Sequence, residues 1–186
     1  MSQQLIQALD NLFGQLQRLA EDQQVQLTCE FDPDWLSPCQ QNEPDKQGLI
    51  EWLPVLQQPP GDFSSVESAL GIPIHPDLKL FYTRYWSEVI DARSARGNLQ
   101  LLQAWNADDF ERLQQNLIGH ILMKQRLKQP VTLFFAITDE EDFIISVDNQ
   151  SGEVMLEQVG CIPQETLAPD LATFINQLQP VVSIEE

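Results

Sequence analysis

Leucine recurs at alternating steps of four and three through the first twenty residues. The spacing is kept by Leu5, Leu9, Leu12, Leu16 and Leu19, with Ile6 and Phe13 beside them. Such a pattern places apolar side chains on one face of a helix. It predicts an amphipathic helix over residues 3–20 that packs against a core.

Two short helices are predicted between residues 63 and 86. Ser64 lies three residues before Glu67, which is the spacing of a capping box, and Gly71 fits the left-handed position at the end of the first helix. Pro76 can occupy the first turn of the second helix. We expect His75, directly before it, to be a cap or turn residue and not a catalyst.

A longer helix is predicted between Asn106 and Pro130, where apolar residues keep helical spacing over about four turns. Asn106 is a good N-cap, and acids follow it in the first turn. Lys124 and Arg126 fall near the other end, so the charges complement the helix dipole. We expect His120, on the apolar side, to be half-buried and hydrogen-bonded.

Alternating apolar positions predict strands at residues 48–55 and 98–103, followed by a three-strand meander at residues 131–137, 143–148 and 153–159. Gly152 supplies a positive φ in the second turn of the meander. A last helix begins near Pro169 and ends before Pro180. The pattern indicates an α/β fold of the α+β kind, in which about five helices pack on a mixed or antiparallel sheet of about five strands.

Residues 29–48 are rich in Pro, Asp, Gln and Asn, with Trp35 and Leu36 as isolated apolar positions. This composition is typical of a long surface loop. Length alone favours one domain over residues 1–186, which includes an acidic and variable loop at about residues 29–60.

Charge narrows the choice of partners. The chain has 28 acids and 10 bases, a formal net charge of -18, and no Lys or Arg after Lys128. Phosphates and anionic lipids attract Lys and Arg, so the balance argues against nucleic acid and against direct docking on lipid. Two interpretations stay open: a cationic partner, or a solvated acidic face without a partner.

The motifs of common catalytic and metal sites are missing, and we predict no catalytic residue, no metal and no cofactor. The acids of residues 138–143 lack the alternating ligands and central glycine of a calcium loop. A hydrolase that uses two carboxylates is the remaining enzymatic alternative. The three cysteines suit reduced thiols, and the chain has neither a secretion signal nor an apolar run long enough for a bilayer, so we expect a cytoplasmic protein.

Three stretches resemble a known family: LLQAWNADDFERLQQNLIGHILMKQRLKQPVTLFFAI, ISVDNQSGEV and LATFINQLQPVV. They are similar to the Syd family, which is related to the SUKH superfamily, and the resemblance is strong over residues 97–181. It implies a protein that binds the cytosolic loops of the SecY translocon channel at the inner membrane and restrains or monitors faulty translocase. The superfamily also includes immunity proteins, which leaves open an inhibitor that covers a toxin's basic active site.

The resemblance also selects candidate residues for an acidic groove. The acids at matching positions are Glu67, Asp108, Asp109, Asp139, Glu140, Glu141 and Glu153. We expect the Thr138–Glu141 turn and the start of the Asp108 helix to form the two lips, with Trp105 as an aromatic anchor. Each acid taken alone is also explained by helix capping or by ordinary surface charge.

Overall fold

The computed structural model describes residues 2–182. Its five helices are α1 (Ser2–Gln23), α2 (Ser64–Leu70), α3 (Pro76–Arg84), α4 (Ala107–Arg126) and α5 (Leu171–Asn176). The strands are β1 (Thr28–Glu30), β2 (Gln40–Gln41), β3 (Leu49–Trp52), β4 (Val55–Leu56), β5 (Tyr85–Trp86), β6 (Ile90–Ser94), β7 (Gly97–Leu101), β8 (Thr132–Thr138), β9 (Phe143–Asp148), β10 (Val154–Gln158), β11 (Glu165–Ala168) and β12 (Gln179–Pro180).

Seven strands form the main sheet, in the order β11-β10-β9-β8-β7-β6-β12, and every neighbouring pair is antiparallel. The predicted fold class and the meander of β8, β9 and β10 are therefore confirmed. The predicted number of about five strands is too low. The pattern missed β6, whose sequence IDARS mixes charged and apolar residues, and the short edge strands β11 and β12.

The helices share one hydrophobic cluster with the main sheet. Leu5, Leu9 and Leu12 of α1 are buried, as the leucine spacing predicts. Asp10 on the same helix accepts hydrogen bonds from Arg84 Nε (3.0 Å) and from Tyr85 Oη (2.8 Å). These bonds fix α1 against the end of α3.

The region expected to be a surface loop is more ordered than its composition suggests. Its strands β1 and β2 flank β3, which lies within the strand predicted at residues 48–55, in a small sheet of order β1-β3-β2. Cys39 in this region is completely buried. Its middle segment docks on the start of α4, because Trp105 Nε1 donates to the carbonyl of Trp35 (3.2 Å) and Asn106 Nδ2 donates to that of Leu36 (2.9 Å). The prediction of a long loop is confirmed for residues 31–39 and 42–48, which form neither helix nor strand, but it missed β1, β2 and these contacts with distant residues.

Most predicted helix ends are confirmed, but the capping box is not. Asn106 accepts a hydrogen bond from the amide of Asp109 (2.8 Å), and His75 Nδ1 accepts one from the amide of Asp77 (3.3 Å). Ser64, however, is the first residue of α2, and the N-cap residue Phe63 has no side chain that can cap. Glu67 instead reaches forward to the next helix.

Candidate binding surface

Four consecutive acids occupy the turn between β8 and β9. Asp139, Glu140, Glu141 and Asp142 are all exposed. Thr138 Oγ1 accepts a hydrogen bond from the amide of Glu140 (3.2 Å), which orders the turn. Within residues 2–182 no Lys or Arg forms an ion pair with these carboxylates. We call residues 139–142 the acidic turn.

The acidic turn borders an open cavity of about 180 Å³. Asp139 and Glu140 line one side, and the turn between β6 and β7 lines the other. The floor is apolar and is formed by Leu99, Phe143, Ile145, Leu156, Leu167 and Phe174. Arg96 also lines the cavity, but its guanidinium is paired with Glu165. An apolar floor beside unpaired carboxylates suits a segment that carries both a basic and an aliphatic side chain.

The start of α4 carries the second predicted group. Asp108 is exposed. Asp109 is half-buried, and its carboxylate accepts a hydrogen bond from the amide of Trp105 (2.9 Å), so it also holds the entry to the helix. Trp105 is only 6 % exposed and packs edge-on against Trp52, with 6.3 Å between the ring centroids. The indole therefore offers a partner little surface and instead supports α4.

Glu67 and Glu153 lie at the opposite end of the meander from the acidic turn. Glu153 follows the turn between β9 and β10, where it accepts a hydrogen bond from Ser151 Oγ (3.1 Å). Glu67 accepts hydrogen bonds from Lys79 Nζ (2.7 Å) and from the amide of Ile74 (2.9 Å), and these two bonds lower the pKa of its carboxyl.

The junction between α2 and α3 contacts that second turn directly. The amide of His75 donates to Asn149 Oδ1 (2.8 Å), and Asn149 Nδ2 donates to the carbonyl of Pro73 (2.9 Å). The eight residues selected from the sequence thus lie in three parts of the fold: the acidic turn, the start of α4, and the junction at the far end of the meander.

Sequence reasoning missed an acid on the connection between β5 and β6. Glu88 is half-buried, and its pKa is raised, first by burial and then by the nearby charge of Asp109. The sequence indicated that Glu88 could be partly buried, because it lies among the apolar residues Trp86, Val89 and Ile90. Asp109, at the start of α4, therefore lies close enough to Glu88 for its charge to raise the pKa of that carboxyl.

A buried polar network joins α4 to the meander. Glu157 accepts hydrogen bonds from Lys124 Nζ (3.1 Å) and Thr132 Oγ1 (2.9 Å), and His120 Nε2 lies 3.4 Å from its carboxylate. Burial alone would raise the pKa of Glu157, but the contacts with His120, Lys124 and Thr132 together lower it. The hydrogen bonding expected for His120 is confirmed, because Nε2 also lies 3.2 Å from Thr132 Oγ1. The residue is buried, however, and not half-buried as expected.

Lys124 lies in the last turn of α4, as predicted, but it is also completely buried. Its ammonium donates a second hydrogen bond to the carbonyl of Cys161 (2.7 Å). Lys124 lies seven residues after Leu117 and three after Ile121, both buried, so its position on the apolar face was visible in the sequence. The network positions α4 on the sheet.

Two further observations concern metals and membranes. Within residues 2–182, no group of three or more His, Cys, Asp or Glu side chains is placed to hold a metal ion. None of the helices in the same range combines the length and the apolar character needed to cross a bilayer.

Comparison with known proteins places this arrangement in a family. The profile of the Syd protein family (SUKH-2) matches residues 6–180. Protein Syd of Pseudoalteromonas atlantica is 48 % identical over 185 residues, which cover 98 % of this chain and 100 % of that protein. Protein Syd of Alteromonas mediterranea is 52 % identical over 151 residues, which cover 81 % of this chain and 83 % of that protein. Protein Syd of Aeromonas salmonicida is 36 % identical over 179 residues, covering 96 % and 98 %. The family resemblance noted in the sequence is confirmed, and the chain belongs to the Syd family.

Proposed function

We propose that this protein binds the basic cytosolic loops of the SecY channel through the acidic turn and the adjoining cavity. In this proposal it is a binding regulator and not an enzyme, held at the cytoplasmic face of the inner membrane by contact with protein and not with lipid. Its effect is to restrain or monitor translocase that is unassembled or faulty.

One observation carries the choice of site. The acidic turn presents four exposed carboxylates without a paired base among the described residues, directly beside an apolar cavity floor. Elsewhere several acids are neutralised within the protein, for example Asp10 by Arg84 and Glu67 by Lys79. A partner gains most where carboxylates lack such internal partners, because no existing ion pair has to be broken.

The charge of the whole chain supports the same partner. Cytosolic loops of membrane proteins carry an excess of Lys and Arg, while the lipid surface beside them is anionic. A protein of formal charge -18 is repelled by that lipid and attracted by those loops. Because the Debye length at physiological salt is about 8 Å, the attraction acts at short range and weakens with added salt.

The test is capture of detergent-solubilised SecY channel on the immobilised protein at low and then at high salt. We expect capture at low salt and its loss at high salt. Asp139→Lys with Glu141→Lys should weaken capture at least tenfold. The matched control is Glu21→Lys with Asp22→Lys, which changes two exposed acids at the end of α1. Both double variants change the formal charge from -18 to -14, so a general charge effect would weaken them equally.

Each outcome has a separate meaning. Absence of SecY capture by the wild-type protein at low salt contradicts the proposed function. Capture by the acidic-turn variant at the wild-type level contradicts the proposed site and leaves the function standing. Equal weakening of the two double variants replaces a defined site with a diffuse effect of net charge.

A further inference from the structure

A second cleft, of about 230 Å³, lies between α1, the small sheet and the start of β6. Its walls are mainly apolar and include Leu16, Leu27, Trp52, Val89 and Val182, with Cys29 among them. The described residues that line it include two acids, Glu88 and Asp91, but no Lys, Arg or His. As far as the described residues line it, the cleft thus combines aliphatic walls with negative charge and lacks positive charge.

The two acids differ in their partners. Asp91 Oδ1 accepts a hydrogen bond from Gln100 Nε2 (2.8 Å), which satisfies part of its carboxylate. Glu88 forms no ion pair with any Lys or Arg of residues 2–182. Burial raises the pKa of Glu88, a hydrogen bond from the backbone amide of Val89 offsets only part of this, and the charge of Asp109 adds to the increase, so the free protein disfavours the ionised form.

The charge of Glu88 also acts on two thiols near the cleft, Cys29 in β1 and Cys39 directly before β2. Burial raises the pKa of Cys29 to about 11, and the charge of Glu88 adds to this increase. The pKa of Cys39 is also raised to about 11, again first by burial and with a contribution from Glu88. Within residues 2–182 no Lys or Arg pairs with Glu88, so this half-buried carboxylate lacks a counter-charge there.

We infer that this cleft is a subsite for one lysine or arginine side chain of a partner protein, with the cationic head on Glu88 and the methylene groups against Leu27 and Val89. Long basic side chains bury their aliphatic stems on apolar surface and place the charge at the end, which matches the layout of the cleft. The inference rests on the proposed function only for the identity of the partner. The preference of the cleft for a cation is a property of this chain.

The subsite predicts that the Glu88 carboxylate lowers the stability of the free protein at neutral pH, whereas an acid that supports the fold would raise it. Because the folded-state pKa of Glu88 is raised, the contribution of this group to stability is present below its unfolded pKa and is lost as the pH rises through the folded pKa. Near pH 7 the unpaired carboxylate therefore destabilises the free protein. Glu88→Gln should raise the urea midpoint at pH 7 while it weakens binding of a basic ligand.

The direct test is a titration of the full-length protein with the blocked peptide Ac-Gly-Leu-Lys-Leu-Gly-NH2, followed by the amide NMR signals of Cys29, Glu88 and Val89. We expect saturable shifts at these amides. The analogue with norleucine in place of lysine keeps the aliphatic chain and lacks the charge, so it should bind at least tenfold more weakly. Glu88→Gln should abolish the difference between the two peptides.

The matched control is Glu30→Gln, which removes an exposed acid from β1 next to Cys29 and should bind the lysine peptide within twofold of wild type. Equal binding of the two peptides to the wild-type protein, or unchanged binding by Glu88→Gln, overturns the subsite. A reduced urea midpoint of Glu88→Gln at pH 7 also counts against it, because it would indicate that the carboxylate stabilises the fold.

SecY capture separates this inference from the proposed function. If Glu88→Gln captures SecY as well as wild type does, the function stands and the subsite is wrong as a SecY contact. If wild type captures no SecY but discriminates the lysine peptide through Glu88, the subsite stands and the partner is a different basic protein.

Discussion

At the scale of single residues, the fully buried pair of Lys124 and Glu157 has the largest consequence for stability. We expect Glu157→Gln to lower the free energy of unfolding by about 3–5 kcal/mol, because it leaves the ammonium of Lys124 buried without a counter-charge. Replacing both residues with apolar ones, as in Lys124→Met with Glu157→Leu, should cost less than Glu157→Gln alone. Urea unfolding of the single and double variants measures this coupling, and additive effects would contradict it.

The same pair predicts how stability depends on pH. The pKa of Glu157 lies below its ordinary value of 4.5 because its hydrogen-bonded partners outweigh its burial. A carboxylate with a lowered folded-state pKa contributes stability that is present above the unfolded pKa and is lost as the pH falls through the folded pKa. The urea midpoint of the wild type should therefore decrease as the pH is lowered below 4.5. The urea midpoint of the double variant should decrease less over the same pH range. Equal decreases in the urea midpoints of the two proteins would show that other groups cause the loss of stability at low pH.

A second prediction at this scale compares two glycines that both have positive φ. Gly152 has φ 79°, and a Cβ on it would lie 2.6 Å from Nε2 of His75, whereas Gly160 has φ 81° and open space around it. Gly160→Ala should cost about 1–2 kcal/mol from backbone strain alone. Gly152→Ala should cost about 1–3 kcal/mol more, because the helix-capping ring of His75 must move. Equal urea midpoints of the two variants would show that this ring yields without cost.

At the scale of elements, Asn106 performs two tasks at the start of α4. Its Oδ1 caps the helix, and its Nδ2 holds the carbonyl of Leu36 in the docked segment. Asn106→Asp keeps the acceptor and loses the donor, so it should free the segment around Leu36 while largely preserving the helix. Asn106→Ala loses both groups and should cost about 1 kcal/mol more in the free energy of unfolding.

Limited proteolysis near residues 31–38 and urea unfolding measure the two tasks of Asn106 separately. Both variants should be cleaved faster than the wild type in this segment, and only the alanine variant should lose the energy of the cap. Cleavage of Asn106→Asp at the wild-type rate would mean that other contacts hold the segment, such as the stacking of Arg112 on the ring of Trp35 at 4.1 Å.

The elements that the sequence predicts well are those whose signal is local. The leucine spacing of α1, the cap of α4 and the alternation in the meander each act within a few residues, and each is found in the structure. The edge strands β11 and β12, and the strands β1 and β2 of the small sheet, escaped because their order comes from pairing with distant segments. The residues of the candidate site show the same difference between local patterns and distant contacts.

Sequence alone could identify the acidic turn, because its four acids are consecutive. It could not place Trp105 in the core, or Lys124 against an acid 33 positions away. Glu88 depends on a cleft whose walls come from α1, the small sheet and the residues that follow β12. Local patterns therefore predict which residues are charged, whereas the tertiary structure decides which charges are left without a partner.

At the scale of the whole molecule, the excess of negative charge works against the fold. Only four of the ten bases, namely Lys79, Arg84, Arg96 and Lys124, form ion pairs with carboxylates in residues 2–182, which leaves 24 of the 28 acids against six bases. Mutual repulsion of exposed acids destabilises a compact state, and salt screens exposed charges more strongly than buried pairs. The proposed binding surface is therefore maintained at a cost in stability.

Added salt should consequently stabilise the free protein while it weakens capture of a basic partner. We expect the free energy of unfolding at pH 7 to rise by on the order of 1 kcal/mol between low-millimolar and about 0.3 M NaCl, since each exposed like-charge contact costs a few tenths of a kcal/mol. At pH 4, where many carboxyls take up protons, the increase should shrink. Urea unfolding at both pH values and both salt concentrations measures the effect. A decrease with salt at pH 7 would mean that ion pairs such as Arg84 with Asp10 contribute more to stability than the repulsion removes.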